Sequence, residues 1–212
     1  MAEHYFTARP SASHRIREVR EELRGRPFSF LTDAGVFAKR RVDPGTRLLI
    51  RCLPLPVEGN ALDLGCGYGP IGTVIGALSP GARVFLIDVN ERAADLARRN
   101  LERNGVTGAQ VLVGDGFEPV AGTRFVLIAS NPPLRAGKRV VYEWVRQAFD
   151  RLVPGGCLFM VARTSQGALS LARHMESVFG RVEEVAKGGG YRVLSARRPE
   201  HPPGPQSRQP PE

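Results

Sequence analysis

Lysine is nearly absent from this chain of 212 residues: Lys39, Lys138 and Lys187 are the only three, and arginine supplies almost all of the positive charge. The formal net charge is +9 at neutral pH, with an isoelectric point of about 10.3. Arginine forks suit phosphate groups and stack on bases, so this balance favours a polyanionic partner. An arginine-biased composition with ordinary solvated faces explains the same numbers, so basicity alone does not establish nucleic-acid binding.

Cysteine and long apolar runs are also scarce. Cys52, Cys66 and Cys157 lie far apart without a CxxC pair, which argues against a disulfide framework or a zinc site and predicts a reduced, cytoplasmic setting. No apolar run approaches the roughly 18 residues of a membrane span, and no secretory signal opens the sequence. With 42% apolar residues, we expect a soluble α/β protein with one compact domain and short extensions.

The apolar patterning predicts five strands that alternate with helices. The strands are expected at residues 61–64, 83–87, 110–113, 124–130 and 157–162, and the helices at 71–78, 91–103, 140–152 and 167–179. Such alternation implies parallel βαβ units. Two last strands, at 181–186 and 191–196, are joined by a glycine turn too short for a crossover, so they must be antiparallel. The predicted fold is a seven-stranded, mostly parallel, Rossmann-like sheet ending in an antiparallel hairpin.

The residues before this sheet are predicted to form an extension and an entry segment. Ile16, Val19 and Leu23 follow helical spacing, so we expect a helix over residues 11–23 after an unstructured start. A hairpin is expected over residues 28–39, followed by a helix over 47–53 that Asp43 caps. The predicted domains are thus an extension at 1–25, a main domain at 26–198 that opens with this hairpin and helix at 26–56, and a disordered tail at 199–212.

Residues 60–72 are the stretch around which the chain is organised: a buried strand, a glycine-rich turn and a helix start. Gly65, Gly67 and Gly69 allow positive φ and close approach of a ligand. The spacing Gly67-x-Gly69-x-x-Gly72 also satisfies the dinucleotide pattern, although a single match of that kind is weak. The alternative interpretation stresses Asp63 before the three glycines, a pattern typical of S-adenosylmethionine methyltransferases.

Acidic residues follow the next two strands. Asp88, about 20 residues beyond the glycine turn, is placed to accept hydrogen bonds from both ribose hydroxyls of an adenosine ligand. This position suits NAD and S-adenosylmethionine equally. Asp88 could instead cap the helix at 91–103, although Asn90 is the better cap candidate. Asp115 ends the third strand in a Gly-Asp-Gly-Phe turn and could equally be a plain turn residue.

The tetrapeptide Asn131-Pro132-Pro133-Leu134 ends the fourth strand. Two prolines there force the backbone to stop in one rigid shape, and they hold Asn131 extended. The Asn131 amide oxygen and a carbonyl of the proline segment could then accept both hydrogens of a planar –NH₂ group. The segment resembles the Asn-Pro-Pro motif of methyltransferases that act on an amide or on an exocyclic base nitrogen, although a purely structural turn would use the same residues.

Together these segments resemble the methyltransferase small-domain family, which includes ribosomal RNA small-subunit guanine-N2 methyltransferases of the RsmC type. The resemblance rests on residues 35–39, 43–46, 63–72, 88–90 and 131–138 and covers roughly residues 26–197. It implies a class I fold, S-adenosylmethionine as cofactor, transfer to guanine N2 of 16S ribosomal RNA, and ribosomal RNA or the small ribosomal subunit as partner. Leu134 stands where many relatives carry a base-stacking aromatic residue. The RsmC type also carries a second, degenerate domain, and the oligomeric state here is open between monomer and homodimer.

The resemblance also implies roles for single residues. In this family, the position of Asp115 binds the adenine amine, and Phe117 could pack on the ring. The predicted catalytic residues are Asn131, Pro132 and Pro133. The predicted cofactor-binding residues are Asp63, Gly65, Cys66, Gly67, Tyr68, Gly69, Asp88, Val89, Asn90, Asp115, Gly116, Phe117 and Asn131. The predicted substrate-binding residues are Phe37, Lys39, Leu134, Arg135 and Lys138. The alternatives are a protein glutamine methyltransferase, a non-catalytic RNA-binding relative and, with least support, an NAD dehydrogenase; no metal is expected.

Overall fold

The computed structural model of the protein describes residues 16–33, 41–134 and 137–200. Nine strands and five helices are found in these ranges. The strands are β1 (Arg17–Leu23), β2 (Arg26–Thr32), β3 (Gly59–Leu64), β4 (Ala82–Asp88), β5 (Ala109–Val113), β6 (Phe125–Ser130), β7 (Leu152–Arg163), β8 (Glu183–Gly188) and β9 (Tyr191–Arg197). The helices are α1 (Pro44–Cys52), α2 (Pro70–Leu78), α3 (Glu91–Arg103), α4 (Lys138–Arg151) and α5 (Ala168–Phe179).

Strands β3 to β9 form one sheet in the order β5-β4-β3-β6-β7-β9-β8. The first five of these in the chain, β3 to β7, pair in parallel. Strand β9 runs antiparallel to both β7 and β8. The predicted fold class, a mostly parallel seven-stranded sheet with an antiparallel end, is therefore confirmed.

Helices cover both faces of this sheet, because side chains along each buried strand alternate between two cores. Ala61 of β3 faces a core built with α1, α2 and α3. Leu62 and Leu64 of the same strand face a second core built with α4 and α5. Near-continuous apolar strands of this kind are typical of parallel sheets that are buried on both sides. Asp63 lies between Leu62 and Leu64 and so points toward the first core.

The predicted helix over residues 11–23 is wrong in the part that the structure describes. Residues 17–23 form β1, which pairs antiparallel with β2 through the two-residue turn of Arg24 and Gly25. Both turn residues have positive φ, at 55° and 74°, as the favoured hairpin turns require. Val19 and Leu23 are buried on one side of β1. Their four-residue spacing fits a strand of period two as well as a helix, which explains the error.

The predicted hairpin over residues 28–39 is confirmed only for its first strand. That strand lies within β2, but its partner in the structure is β1. The predicted second strand, at 36–39, lies outside the described residues. The proposed boundary between residues 25 and 26 also falls inside the turn of the β1–β2 hairpin, and β1 contributes Leu23 to the first core. The described part of the extension therefore belongs to the folded domain.

Asn100 of α3 and Asn104, which caps the C-terminus of α3, attach this hairpin to the main domain. Asn100 accepts from the Leu31 N–H at 2.7 Å and donates to the Leu31 carbonyl at 3.0 Å and the Tyr68 carbonyl at 2.8 Å. Asn104 makes an analogous pair of bonds to the backbone of Ser29. These amides satisfy backbone groups along β2 that would otherwise lose their partners on burial. Within the described ranges, no helix is long and apolar enough to cross a membrane.

Candidate active site

The glycine turn and the Asn-Pro-Pro segment lie side by side at the carboxyl edge of the sheet. Strands β3 and β6 are parallel neighbours, with Asp63 opposite Ala129. The hydroxyl of Ser130 donates to the carbonyl of Leu64 at 2.7 Å, which ties the two strand ends together. Because parallel strands end at the same edge, the residues that follow both strands share one crevice. Asn131 and the glycine turn therefore border the same crevice.

The three glycines of the turn have different surroundings. A Cβ atom on Gly69 would lie 3.1 Å from the Ala97 Cβ, and one on Gly65 would lie 3.2 Å from the ring of Trp144. These two glycines allow close packing of the turn against its neighbours. Around Gly67, which has φ of 57°, the structure places no described atom within 4 Å of the added Cβ. Gly67 is therefore the position where a ligand can approach bare backbone.

Asp63 is a fully buried carboxylate beneath this turn. Its Oδ2 atom accepts from the Gly72 N–H in the first turn of α2 at 2.8 Å. Its Oδ1 atom has no hydrogen-bond partner among the described residues. Burial raises the pKa of Asp63 to about 7, and the nearby charge of Asp88 acts in the same direction. An unpartnered buried carboxylate oxygen is costly unless a donor or a cation meets it.

Asp88 lies at the end of β4, opposite the glycine turn. Its Oδ2 atom accepts from the Gly67 N–H at 2.8 Å, and its Oδ1 atom accepts from the Asn90 N–H at 2.9 Å. Burial raises the pKa of Asp88, although both hydrogen bonds oppose that effect. Helix α3 is capped by Asn90, whose side chain accepts from the N–H groups of Arg92 and Ala93. Asp88 is thus not the cap, in agreement with the preference stated for Asn90.

The amide of Asn131 is held by helix α1. Its Nδ2 atom donates to the Thr46 hydroxyl at 3.0 Å and to the Asp43 Oδ1 atom at 3.3 Å. Since these acceptors take the nitrogen end of the amide, the oxygen end points to the opposite side. Pro132 follows, and its carbonyl accepts from the Leu134 N–H at 2.9 Å in a tight turn. A carbonyl has a second lone pair, so the segment keeps an acceptor beside the amide oxygen.

Several predicted site residues direct their side chains into the protein. Tyr68 packs edge-on against Phe30 in the first core, and Phe117 is buried in the second. Burial raises the pKa of the Cys66 thiol. The side chain of Leu134 packs, half-buried, on the second core. Only the backbone of Tyr68 lies along the turn itself, where its carbonyl accepts from α3.

The remaining predicted site residues form two groups. The structure describes the residues of one group, and those of the other lie outside the described residues. Val89 and Gly116 follow β4 and β5, and Asp115 is exposed. Lys138 begins α4 and is exposed. Phe37, Lys39 and Arg135 lie outside the described residues. Their assignment to substrate binding stays a prediction.

Sequence reasoning missed two contributors to this site. Trp144 is buried in the second core, and its ring also borders the backbone of Gly65 and Gly116. Tyr191 donates its hydroxyl hydrogen to the Asp43 Oδ2 atom at 2.9 Å. No local pattern connects residues so distant in sequence. Asp43 itself was expected only to cap α1, which it does.

These features define a class I S-adenosylmethionine-dependent methyltransferase: the sheet order, the antiparallel end, and a glycine turn beside acidic strand ends. The sequence matches the methyltransferase small domain family over residues 27–195. The chain belongs to that family. S-adenosylmethionine is the methyl donor of the class, which confirms the predicted cofactor.

Relatives of known sequence give a second view. A Bacillus subtilis protein called "Uncharacterized protein YbxB" is 40% identical over 200 residues, which cover 93% of this chain and 100% of that protein. Ribosomal RNA small subunit methyltransferase C of Pseudomonas syringae is 35% identical over 187 residues, covering 86% of this chain and 55% of that protein. This chain therefore spans about half the length of its relatives of that name.

Among solved structures, a Thermus thermophilus protein superimposes with a TM-score of 0.78 at 30% identity. The match covers 90% of this chain and 52% of that one. That protein is described as a 16S rRNA N2 G1207 methyltransferase (RsmC) in complex with AdoMet and guanosine. The resemblance to the RsmC type stated from the motifs is thereby confirmed at the level of the family.

Proposed function

We propose that this protein transfers a methyl group from S-adenosylmethionine to an exocyclic base nitrogen, namely guanine N2 of 16S ribosomal RNA. The observation that carries the proposal is the orientation of Asn131. Its amide hydrogens are taken by Thr46 and Asp43, so its oxygen is left to accept from a planar amine. The rigid Pro132 carbonyl is the second acceptor. The RsmC names among the relatives support guanine and 16S ribosomal RNA as the target.

The cofactor fits the residues on the other side of the crevice. The unpartnered Oδ1 atom of Asp63 suits the cationic amino group of the methionine part, because a charge-assisted bond would relieve its burial cost. Asp88 accepts from the N–H groups of Gly67 and Asn90, and the remaining lone pairs of its carboxylate would accept from the ribose hydroxyls. The N–H of Gly67 donates to Asp88, and the space that a Cβ atom of Gly67 would fill is open. The cofactor roles predicted for these three residues are kept as part of this proposal.

Catalysis in this site would rest on positioning. When bound, the cofactor supplies an electrophilic methyl group, so the nitrogen–carbon bond forms as the sulfur–carbon bond breaks and the nitrogen then loses a proton to water. Asn131 and Pro132 hold the amine flat and aim its lone pair, which converts an encounter into an oriented reaction. The hydrogen bonds from the amine to the Asn131 side-chain oxygen and the Pro132 carbonyl become stronger as the amine nitrogen becomes positive. A guanine within a duplex would have to be displaced or presented in a loop.

The positive charge is consistent with an RNA target. The net charge of +9 favours phosphate binding, and Lys138 is exposed at the start of α4. Leu134 has no aromatic ring, so an aromatic stacking partner for the base would have to come from another residue. The cytoplasmic setting stays a prediction.

The decisive experiment is transfer of a labelled methyl group to ribosomal RNA and to 30S particles that lack the modification, followed by nucleoside analysis. We expect label in N2-methylguanosine. Label in a protein glutamine would contradict the RNA target and favour the alternative enzyme. Binding of S-adenosylmethionine in calorimetry without transfer to either substrate would favour a non-catalytic RNA-binding role.

A further inference from the structure

The hydrogen bonds that hold the Asn131 side chain reach residues far from the Asn-Pro-Pro segment in the sequence, namely Asp43 and, through it, Tyr191. We propose that Asp43, held in turn by Tyr191, is a positioning residue that sets which end of the Asn131 amide faces the substrate. This inference rests on the proposed function, since it assigns the orientation of the residue that receives the amine. It adds two residues from α1 and β9 to a site that is otherwise built at the ends of parallel strands.

An asparagine amide needs such a constraint because its two ends have nearly the same shape but opposite hydrogen-bonding character. With the oxygen toward the substrate, Asn131 accepts from the target amine. With the amide turned over, two N–H donors would face an amine that is itself a donor. Thr46 does not choose between these states, because a hydroxyl can both donate and accept.

A carboxylate only accepts, so Asp43 makes the choice. The Asp43 Oδ1 atom lies 3.3 Å from the Asn131 Nδ2 atom. If the amide turned over, its oxygen would face that carboxylate with no hydrogen between them. Because Asp43 is buried, water screens this repulsion poorly. The amide is thus held with its hydrogens toward α1.

Asp43 itself has no freedom to rotate. Its Oδ1 atom caps α1 by accepting from the Gly45 N–H at 2.9 Å and the Thr46 N–H at 3.2 Å. Its Oδ2 atom accepts from the Tyr191 hydroxyl at 2.9 Å. A carboxylate at a helix N-terminus is also favoured by the helix dipole. Both oxygens are therefore occupied by fixed donors.

Tyr191 is fixed by its own neighbours. Its ring lies so close to the backbone of Gly45 that a Cβ atom there would approach within 2.5 Å. The guanidinium of Arg163, its partner across the β7–β9 pair, lies 4.7 Å from the ring centroid. Burial and the charge of Asp43 raise the pKa of Tyr191, so its hydroxyl stays a donor at neutral pH. Strand β9, in the antiparallel part of the sheet, is thus connected to Asn131 through Tyr191 and Asp43.

The test uses Asp43→Ser, because serine caps a helix as well as aspartate does but offers only one oxygen. We expect turnover to fall about tenfold, with the KM for S-adenosylmethionine unchanged, because a hydrogen bond to a charged group is lost. Asp43→Asn keeps the size of the side chain and is the second variant. It should lower turnover less, since an amide oxygen still accepts but no longer carries a charge.

The critical measurement is a double-mutant cycle with Asn131→Ala. If Asp43 acts through Asn131, adding Asp43→Ser to Asn131→Ala should change the remaining turnover by less than about twofold. A loss equal to that in the wild-type background would overturn the inference and leave Asp43 as a cap only. Tyr191→Phe should give a smaller loss. Tyr142→Phe, which removes a hydroxyl bonded to the Ser170 carbonyl, is the matched control and should leave turnover unchanged.

A readout without substrate separates this inference from the proposed function. The side-chain amide resonances of Asn131, assigned by their absence in Asn131→Ala, should shift in Asp43→Ser and remain unchanged in Tyr142→Phe. If the wild-type protein fails to methylate ribosomal RNA, the proposed substrate is wrong, but this NMR result still stands. If methylation proceeds while the Asn131 resonances are unchanged in both Asp43 variants, the positioning role is wrong and the proposed function stands.

Discussion

The two halves of the proposed active site are built in different ways. The glycine turn is held by backbone contacts with the adjacent strand, since the N–H groups of Gly65 and Cys66 both donate to the Ile87 carbonyl at 2.9 Å. The Asn131 side, in contrast, depends on side chains of α1 and β9 that are remote in sequence. A site of the first kind draws on two consecutive strands and the turns that follow them, within residues 63–90. A site of the second kind exists only after the sheet is complete.

The largest expected effect comes from breaking the Asn131 side. Asn131→Ala should lower turnover roughly 100-fold or more, while the affinity for S-adenosylmethionine largely survives, because the amide acts on the amine and not on the cofactor pocket. Steady-state kinetics and calorimetry measure the two quantities. Asn60→Ala removes an amide at the opposite end of β3 and is the control. Near-normal turnover in Asn131→Ala would refute the assigned role.

A substitution in the glycine turn should instead weaken the binding of S-adenosylmethionine. Asparagine tolerates positive φ, so Gly67→Asn should keep the backbone but fill the open space next to Asp88. We expect the Kd for S-adenosylmethionine to rise at least about tenfold, with little change in melting temperature. Gly105→Asn is the control, because Gly105 has a similar φ of 68° and open surroundings. Equal affinity in the two variants would show that Gly67 does not border the ligand.

The glycine side should also respond to pH. Because burial raises the pKa of Asp63 to about 7, cofactor affinity should increase roughly tenfold between about pH 5.5 and about pH 7 as this carboxylate ionises. Calorimetry at several pH values measures the trend. Asp63→Asn should bind more weakly and flatten the dependence, which separates Asp63 from Asp88. Unchanged pH dependence in that variant would contradict the assignment.

The same shift has a consequence for stability. The folded-state pKa of Asp63 lies above its ordinary value, so this group favours the folded state below that ordinary value. Its contribution is lost as the pH rises through about 7, because the folded protein must then hold a buried charge. Between about pH 4 and about pH 7, the wild-type protein without cofactor should therefore lose more of its free energy of unfolding than Asp63→Asn does. Denaturant unfolding at both ends of the range measures the difference.

The smallest effect should come from the bond that joins the two halves. Ser130→Ala removes the donor to the Leu64 carbonyl and should lower the free energy of unfolding by about 1 kcal/mol, with a modest change in turnover. Ser177→Ala removes a similar but exposed bond to the His174 carbonyl and should cost less. If both variants were equally stable, the buried bond would not couple the halves.

Local signals predicted the sheet well. Helix α3 begins after Asn90 and ends at Arg103 as expected, because a side-chain cap and an amphipathic pattern both mark it. The final antiparallel pair followed from a glycine turn too short for any crossover. The crevice residues Asp63 and Asp88 were also predictable, because each stands at the end of a buried strand.

Other features had no local signal strong enough to decide them. Val19 and Leu23 fit a helix or a strand equally well, and only the pairing with β2 selects the strand. The buried role of Asn100 was likewise missed, because an asparagine within a helix gives no sign that it completes the hydrogen bonds of a strand. In both cases the partner is distant in the chain or belongs to another element.

The order of strands and helices from β3 onward, the glycine turn with its carboxylates and the Asn-Pro-Pro segment were determined by the sequence alone, since backbone sterics and apolar periodicity act between near neighbours. Only the tertiary structure shows that Gly67 has open space around it and that Tyr68 faces the first core. It alone also shows that Asp43 bonds both Asn131 and Tyr191. These facts depend on which surfaces meet when the helices and the last strand pack. Contacts of that kind are properties of the assembled sheet and leave no pattern in neighbouring residues.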